Sequence, residues 1–327
     1  MRLMNVAIIS LAALALTSCG SKNQEAQADQ DNVANNELAV QAPTFNADSA
    51  YSFVKAQCDF GPRVPGTQAH QDCGNMLEKK LNQLCDTVIT QHAQVTTFDN
   101  TRLNISNYIG IFNPDASKRI LLLAHWDSRP WADNDPDPDK QTQPVIGAND
   151  GASGVGVLLE VARVLAANKP AIGVDILFTD AEDWGTNNDE DSWALGTQYW
   201  VQHPHVQGYS PMYGILLDMV GAAGARFEKE GYSSYYAPQV VSNVWNKAQT
   251  AGYGNLFSTM EGGAVTDDHV TINQAGIPCI DIIDMRRSSP TGFFQQWHTT
   301  HDTMNSIDRN TLKAVGQTLI NLLQSYN

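Results

Sequence analysis

Acids and histidines stand where predicted strands of this sequence end and where a predicted helix begins. Carboxylate oxygens and imidazole nitrogens are the usual ligands of catalytic zinc, whereas structural zinc sites are rich in thiolates. This pattern favours a metal-dependent enzyme if the fold brings the side chains to one place. The residues concerned are His125, Asp127, Asp150, Glu182, Asp183, Asp218 and His298.

The elements that must position these side chains are short apolar runs. Residues 119–124, 172–179, 213–217 and 277–283 form such runs, as expected for central strands covered on both faces. Helical periodicity fills the intervals, most clearly at Ala152–Ala167. The alternation predicts an α/β fold: a single domain with a central, twisted, mostly parallel mixed β-sheet flanked by helices on both faces. Further helices are predicted at 47–57, 66–84, 192–201, 237–250 and 307–326, and further strands at 87–98 and 103–112.

Open α/β sheets bind their ligands at the carboxyl ends of the strands. His125 follows the first apolar run, Glu182 follows the second, and Asp218 follows the third. Each has an ordinary structural explanation when taken alone; Asp150, for example, suits a helix N-cap. Several such side chains at one edge of a sheet instead predict a single metal site.

The N-terminal part predicts export and lipid attachment. Residues 1–18 have one charge, Arg2, before a short apolar run, which is typical of a signal peptide. The run ends at Leu16-Thr17-Ser18-Cys19-Gly20, which resembles a bacterial lipobox and implies lipid on Cys19. We expect a flexible tether over residues 19–45 and the catalytic domain over 46–327, anchored to the cell envelope and facing the periplasm. An ordinary signal peptide with a chance cysteine is the alternative.

Charge excludes two classes of partner. The 327 residues carry 20 Lys and Arg against 35 Asp and Glu, a formal net charge of −15. Nucleic acids and anionic membrane surfaces are bound through clustered cations, so neither is expected as a partner. Cys58, Cys73, Cys85 and Cys279 lack the spacing of a thiolate zinc site. They are either buried thiols or disulfides, and their pairing is not specified by the sequence.

The order of these residues resembles that of the co-catalytic zinc aminopeptidase family, over about residues 54–323. Two details are similar to one branch of it, the type II glutaminyl-peptide cyclotransferases, which are single-zinc relatives. Trp297 precedes the last histidine, and Asp267-Asp268-His269 stands where the peptidases more often have Ser-Asp-His. One departure is Glu182-Asp183, where animal cyclases have Glu-Glu; the shorter aspartate shifts the metal or the backbone by roughly one bond length, about 1.5 Å.

The resemblance implies that the enzyme converts N-terminal glutaminyl residues of peptides or proteins to pyroglutamate and releases ammonia. It implies one Zn²⁺ per chain. Glu182 would carry the proton, while Asp218 and Asp267 would orient the substrate. Trp297 would form one wall of the glutamine pocket, and Trp184 or Trp193 is the candidate for the opposite wall. The implied zinc ligands are Asp150, Asp183 and His298, with His125 and Asp127 as ligands of a second metal or as supports behind the first.

Two other functions remain open. In a two-zinc aminopeptidase, His125 and Asp218 would join a bridging Asp150, and Glu182 would activate water. In the other alternative, the protein is an inactive relative that serves as an envelope binding module. The acidic segment 133–139 lacks the sixth-position glycine of a calcium loop, so we interpret it as a solvated loop. The oligomeric state is not specified.

Overall fold

The computed structural model describes residues 42–326. The predicted signal peptide, the predicted lipid attachment at Cys19 and the predicted tether as far as residue 41 lie outside this range. Phe45, at the end of the predicted tether, is buried against Gly316 of the last helix and therefore belongs to the packed domain. Within residues 42–326, no helix combines the length and the apolar character needed to cross a membrane.

The described residues form eight strands and eight α-helices. The strands are β1 (Thr87–Thr96), β2 (Arg102–Phe112), β3 (Arg119–His125), β4 (Gly173–Thr179), β5 (Tyr213–Asp218), β6 (Phe227–Lys229), β7 (Phe257–Glu261) and β8 (Cys279–Ile283). The helices are α1 (Ala47–Cys58), α2 (Gln68–Leu84), α3 (Ala152–Ala167), α4 (Leu195–Gln202), α5 (Gly231–Tyr236), α6 (Pro238–Thr250), α7 (Asp268–Gln274) and α8 (Arg309–Gln324).

Six of the strands form one mixed sheet in the order β1-β2-β4-β3-β5-β8. Strands β4, β3, β5 and β8 run parallel to one another, whereas β1 and β2 are antiparallel to each other and β2 is antiparallel to β4. Strand β3 lies between β4 and β5, so the chain turns to opposite sides of β3 as it forms these two neighbours. Such a switch point opens a crevice at the carboxyl ends of the strands.

Alternate residues of the central strands face two separate hydrophobic layers. Ile120 and Leu122 of β3 pack into the larger layer, which contains α1, α2, α3, α6 and α8. Leu121 and Leu123 pack into the other, which contains Trp200 of α4 and Ile272 of α7. The strands are therefore covered on both faces, and the predicted fold class is confirmed.

Four elements were not predicted: β6, β7, α5 and α7. All are short, between three and seven residues, so they offer too few turns or alternations for a periodic signal. Helix α4 begins at Leu195 rather than at residue 192, because Glu190–Ser192 forms a separate 3-10 turn. All four cysteines of the described domain are free thiols.

Candidate active site

The parallel strands bring the predicted chemical groups to one edge of the sheet. His125 ends β3, Asp218 ends β5, and Glu182 and Asp183 follow β4 by three and four residues. Asp150 lies just before α3, where Gly151 has a φ of 92°. At Gly154, within the first turn of α3, a Cβ atom would lie 2.3 Å from the backbone oxygen of Leu217, so glycine allows the helix to approach the end of β5.

The backbone around the site is held in unusual conformations. Ala181, Met219 and His298 have φ values of 49°, 48° and 56°, in the left-handed region. Residues other than glycine rarely adopt this region, and where they do the surrounding structure must stabilise them. Ala181 precedes Glu182, Met219 follows Asp218, and His298 is itself a predicted zinc ligand. Three of the six non-glycine residues with positive φ in the described part of the chain therefore lie at the site.

Asp150, Asp183 and His298 form one candidate metal group. One ligand atom from each lies within 4.8 Å of the others. Nε2 of His298 is 3.2 Å from Oδ1 of Asp183 and 3.6 Å from Oδ2 of Asp150. The other ring nitrogen, Nδ1, faces Oδ1 of Asp133 at 3.4 Å. A carboxylate behind a histidine fixes the ring with Nε2 towards a metal.

His125, Asp150 and Asp218 form a second group, which shares Asp150 with the first. Nε2 of His125 lies 3.1 Å from Oδ1 of Asp150 and 3.2 Å from Oδ1 of Asp218. Asp127 is not a member of either group. It faces Nδ1 of His125 at 3.4 Å and accepts hydrogen bonds from the backbone N–H groups of Glu182 and Asp183. Asp127 therefore orients the imidazole and ties the loop after β3 to the loop after β4.

The donor set fits zinc. Two carboxylates and one imidazole carry oxygen and nitrogen ligands with no thiolate, as in catalytic zinc sites that keep a position open for substrate. A neutral imidazole with two carboxylates also balances the charge of a divalent ion. The backbone N–H of Asp150 donates to Asp302 at 3.0 Å, which fixes the loop carrying this ligand.

Arg129 is a component that the sequence did not reveal. Its side chain is buried, and Nη1 donates to Oδ1 of Asp183 at 3.2 Å. Nη2 donates to Oδ2 of Asp133 at 2.7 Å. The guanidinium also lies over the rings of Trp131 and Trp193, about 5 Å from each centroid. One cation therefore connects a predicted zinc ligand, the acid behind His298 and two aromatic side chains.

The segment 133–139 is less solvated than predicted. Asp133 pairs with Arg129 and His298. Asp135 is buried and accepts hydrogen bonds from the hydroxyl and backbone N–H of Thr300. The interpretation as a solvated loop is therefore wrong for Asp135, which is buried and bound to Thr300, whereas the side chain of Asp133 is 39% exposed although it contacts Arg129 and His298.

Burial and neighbouring charges set the proton affinity of the site. Burial raises the pKa of Glu182 well above its ordinary value, and the negative charge of Asp267 raises it further. Burial, with the charge of Asp218, likewise raises the pKa of Asp267. The pKa of Asp218 is raised to about 6, chiefly by burial, with His125 acting in the opposite direction. Strongly perturbed acids in a cleft are typical of groups that transfer protons.

A further layer of acids lies behind Asp267. Asp267, His269 and Asp281 place one nitrogen or oxygen atom each within 4.8 Å of one another. Nε2 of His269 contacts Oε2 of Glu230 at 3.0 Å. Within the described residues, neither carboxylate oxygen of Asp281 has a hydrogen-bond partner. Burial and the charge of Asp267 raise the pKa of Asp281 well above its ordinary value.

The metal group of Asp150, Asp183 and His298 lines a cavity of about 250 Å³. Trp297 forms part of its wall, and its ring stacks on that of His298 with centroids 3.8 Å apart. Trp193 also lines the cavity, with its ring nearly parallel to that of His298 at 6.2 Å. Trp184 instead packs edge-on against Trp131 and does not line the cavity. Of the two tryptophans that the sequence left open, Trp193 is therefore the one beside the metal group. The predicted acids Asp150, Glu182, Asp183, Asp218 and Asp267 line the same cavity.

Several known proteins are similar to this chain in sequence and overall fold. A glutaminyl cyclase from Bacteroides thetaiotaomicron, solved with N-acetylhistamine bound, is 51% identical over 88% of this chain and 99% of its own, with a TM-score of 0.85. A Zn-dependent exopeptidase from Parabacteroides distasonis is 50% identical over 88% of this chain and 100% of its own, also with a TM-score of 0.85. The curated glutaminyl-peptide cyclotransferase of Bos taurus is 23% identical over 66% of this chain, which spans 64% of that protein.

The family assignment follows from a match over most of the described domain. Residues 107–323 match the family model described as peptidase family M28. This range runs from within β2 to within α8 and includes both candidate metal groups. The resemblance to zinc aminopeptidase-like enzymes and their glutaminyl cyclase branch is confirmed, and the chain belongs to peptidase family M28.

Proposed function

We propose that this protein is a zinc-dependent glutaminyl-peptide cyclotransferase that converts N-terminal glutamine to pyroglutamate and releases ammonia. The observation that carries the proposal is the position of buried Glu182 in a tryptophan-walled cavity beside Asp150, Asp183 and His298. The cavity holds about 250 Å³, which suits one side chain better than a longer segment. The solved glutaminyl cyclase at 51% identity supports the same activity.

Zinc, held by Asp150, Asp183 and His298, would act as a Lewis acid and polarise the γ-carbonyl of the substrate glutamine. Glu182 accepts a proton from the attacking α-amine and donates it to the leaving nitrogen. Burial raises the pKa of Glu182, and a carboxyl group whose pKa lies closer to the working pH is better suited to both steps.

The remaining side chains position the substrate. Asp218 and Asp267 offer carboxyl groups in the cavity wall that can accept hydrogen bonds from the α-amine and the side-chain amide. Trp297 and Trp193 provide flat apolar surfaces on which the planar amide stacks. The α-amine and the γ-carbonyl belong to the same residue, so the reaction is intramolecular, and holding the two groups close together lowers its barrier by restricting unproductive conformations.

A two-metal aminopeptidase is the second candidate. The observation that favours it is the position of Asp150 in both metal groups, as a bridging ligand requires. In that reaction Glu182 would activate water rather than the substrate amine. The Parabacteroides relative described as a Zn-dependent exopeptidase is consistent with this chemistry.

The two functions differ in their products. The zinc-loaded protein is incubated separately with a glutaminyl and a leucyl peptide, and ammonia and free leucine are measured. We expect ammonia from the first peptide and no leucine from the second. The Glu182→Gln variant should lose ammonia release while keeping its zinc. Efficient leucine release by the wild type would instead establish the aminopeptidase, and no turnover of either peptide would favour the binding module.

We also propose that lipid on Cys19 anchors the domain to the bacterial cell envelope on the periplasmic side. The lipobox-like segment ending at Cys19-Gly20 supports this location. In the source cells, the wild type should fractionate with membranes and Cys19→Ala should not. Membrane association of the Cys19→Ala variant would contradict the proposed anchor.

A further inference from the structure

A larger polar groove lies beside the catalytic cavity. It has a volume of about 580 Å³ and is bordered by residues of α4, α5 and α7. The groove and the cavity share part of their walls, so the groove lies directly beside the position of the reacting residue. The shared residues are Glu190, Trp193, Thr266 and Asp267.

The chemistry of the groove suits an extended peptide. Gln202 and Gln274 offer exposed amide groups that can pair with a peptide backbone. Tyr232 and Tyr236 add aromatic surface, with ring centroids 6.4 Å apart. Amide and aromatic side chains together bind a peptide chain without requiring one particular sequence.

The charge of the groove favours peptides that carry basic residues. Its wall includes the exposed acids Glu190 and Asp191 and contains no Lys or Arg. Among the described residues, neither carboxylate forms an ion pair with a basic side chain. The formal net charge of −15 adds a long-range attraction for cations. A substrate with basic residues near its N-terminus therefore meets complementary charge at this rim.

The acidic rim is held in place by the chain itself. Gln198 of α4 donates from Nε2 to the backbone oxygens of Asp191 and Trp193, at 2.7 and 2.8 Å. The backbone N–H of Thr186 donates to Oγ of Ser192 at 2.8 Å. These bonds fix the 3-10 turn Glu190–Ser192 against α4, so its carboxylates have a defined position beside the cavity.

We propose that this groove binds the peptide segment that follows the N-terminal glutamine and that Glu190 and Asp191 favour Lys or Arg in that segment. The inference rests on the proposed function, since it places the first residue of the substrate in the cavity. A residue of extended chain spans roughly 3.3 Å, so the residues that follow the glutamine pass the shared wall, which includes Glu190, and enter the groove within a few positions. Basic side chains there would pair with the two carboxylates.

The test uses pentapeptides that begin with glutamine and differ only at residues three and four, which are both Lys or both Glu. Exposed ion pairs are weak, so we expect KM to be roughly two- to fivefold lower for each favourable charge, with kcat unchanged. The preference should shrink in 0.5 M NaCl because salt screens exposed charges. Glu190→Gln and Asp191→Asn should each reduce it. Asp115→Asn, which removes an exposed acid in the β2–β3 turn at the opposite edge of the sheet, should not.

The outcomes separate this proposal from the proposed function. Cyclisation of both peptides with equal KM, or a preference that Glu190→Gln and Asp191→Asn leave intact, overturns the groove assignment and leaves the cyclase activity standing. If neither pentapeptide nor a glutaminyl dipeptide is cyclised by the wild type, the proposed function itself fails, and the groove assignment falls with it.

Discussion

Nη1 of Arg129 lies 3.2 Å from Oδ1 of Asp183, the same oxygen that faces Nε2 of His298. A buried guanidinium thus holds a predicted zinc ligand in the orientation needed for the metal group. It also binds Asp133, the acid behind His298. The cation therefore supports two of the three predicted ligands at once and balances part of the negative charge that surrounds them.

Replacing Arg129 should weaken zinc binding. In Arg129→Gln, Asp183 and Asp133 lose their shared partner while remaining at the site. We expect zinc affinity to fall about 10- to 100-fold, the usual effect of removing a group that orients a ligand, and stability to fall by about 3 kcal/mol or more. Competition with a chelator measures the first effect and urea unfolding the second. Arg309→Gln is the control, because it breaks only an exposed ion pair with Asp48. It should change neither the zinc affinity nor the stability by much.

The number of metals distinguishes the two ligand groups. We expect about one zinc per chain in the purified protein, because the proposed cyclase uses Asp150, Asp183 and His298. His298→Ala should abolish this zinc, whereas His125→Ala should retain it. Elemental analysis of the three proteins tests this directly. Two zinc ions in the wild type, with one lost in His125→Ala, would show that the group with Asp218 is also a metal site.

The two cavity tryptophans should contribute to substrate binding. Trp297→Ala and Trp193→Ala each remove a flat surface from the wall, so KM for a glutaminyl peptide should rise by roughly 10-fold, since stacking contributes about 1 kcal/mol beyond the area that it buries. Zinc content should be unchanged. Trp184→Ala is the control, because this ring packs on Trp131 outside the cavity. Loss of zinc in Trp297→Ala would mean that the ring chiefly supports His298.

Glu230 should make the domain sensitive to acid. Burial raises the pKa of Glu230, but hydrogen bonds from His269 and Ser233 outweigh burial and bring it to about 2. A carboxyl group whose pKa is lowered by folding stabilises the folded state at pH values above its ordinary pKa. This contribution disappears as the pH falls towards the pKa of the folded state. We expect a contribution on the order of 3 kcal/mol at neutral pH.

The Glu230→Gln variant isolates this effect. The difference between its free energy of unfolding and that of the wild type should be largest above pH 4.5 and should shrink as the pH falls towards 2. Urea unfolding of both proteins across this range gives the difference at each pH, so contributions common to both cancel. A difference that does not depend on pH would contradict the assignment.

The central sheet was predictable because its strands are apolar on both faces. Residues such as Leu121 and Leu122 face different layers yet are both buried, so continuous apolar runs marked the strands and their polar ends marked the site. The short helix α7 and strands β6 and β7 were missed, because such segments take their conformation from packing rather than from periodicity.

Within the site, the sequence identified the acids and histidines whose order resembles that of the family, and it missed Arg129 and Asp133, which reach the site from the loop after β3. Arg129 lies only four residues after His125, but a lone arginine in a loop does not show which acids it contacts. Asp133 belonged to a segment interpreted as solvated, and its contact with His298 spans 165 residues of chain. Trp184 and Trp193 could not be separated, because the path of the loop between them decides which ring faces the cavity.

One peptide can decide the central claim. A peptide with an N-terminal glutamine is incubated with the zinc-loaded protein, and the product is examined by mass spectrometry. Our account predicts a peptide of unchanged length that has lost the mass of one ammonia molecule, with no such product from Glu182→Gln. A product that is shorter by its N-terminal residue would contradict the account and identify the protein as an aminopeptidase.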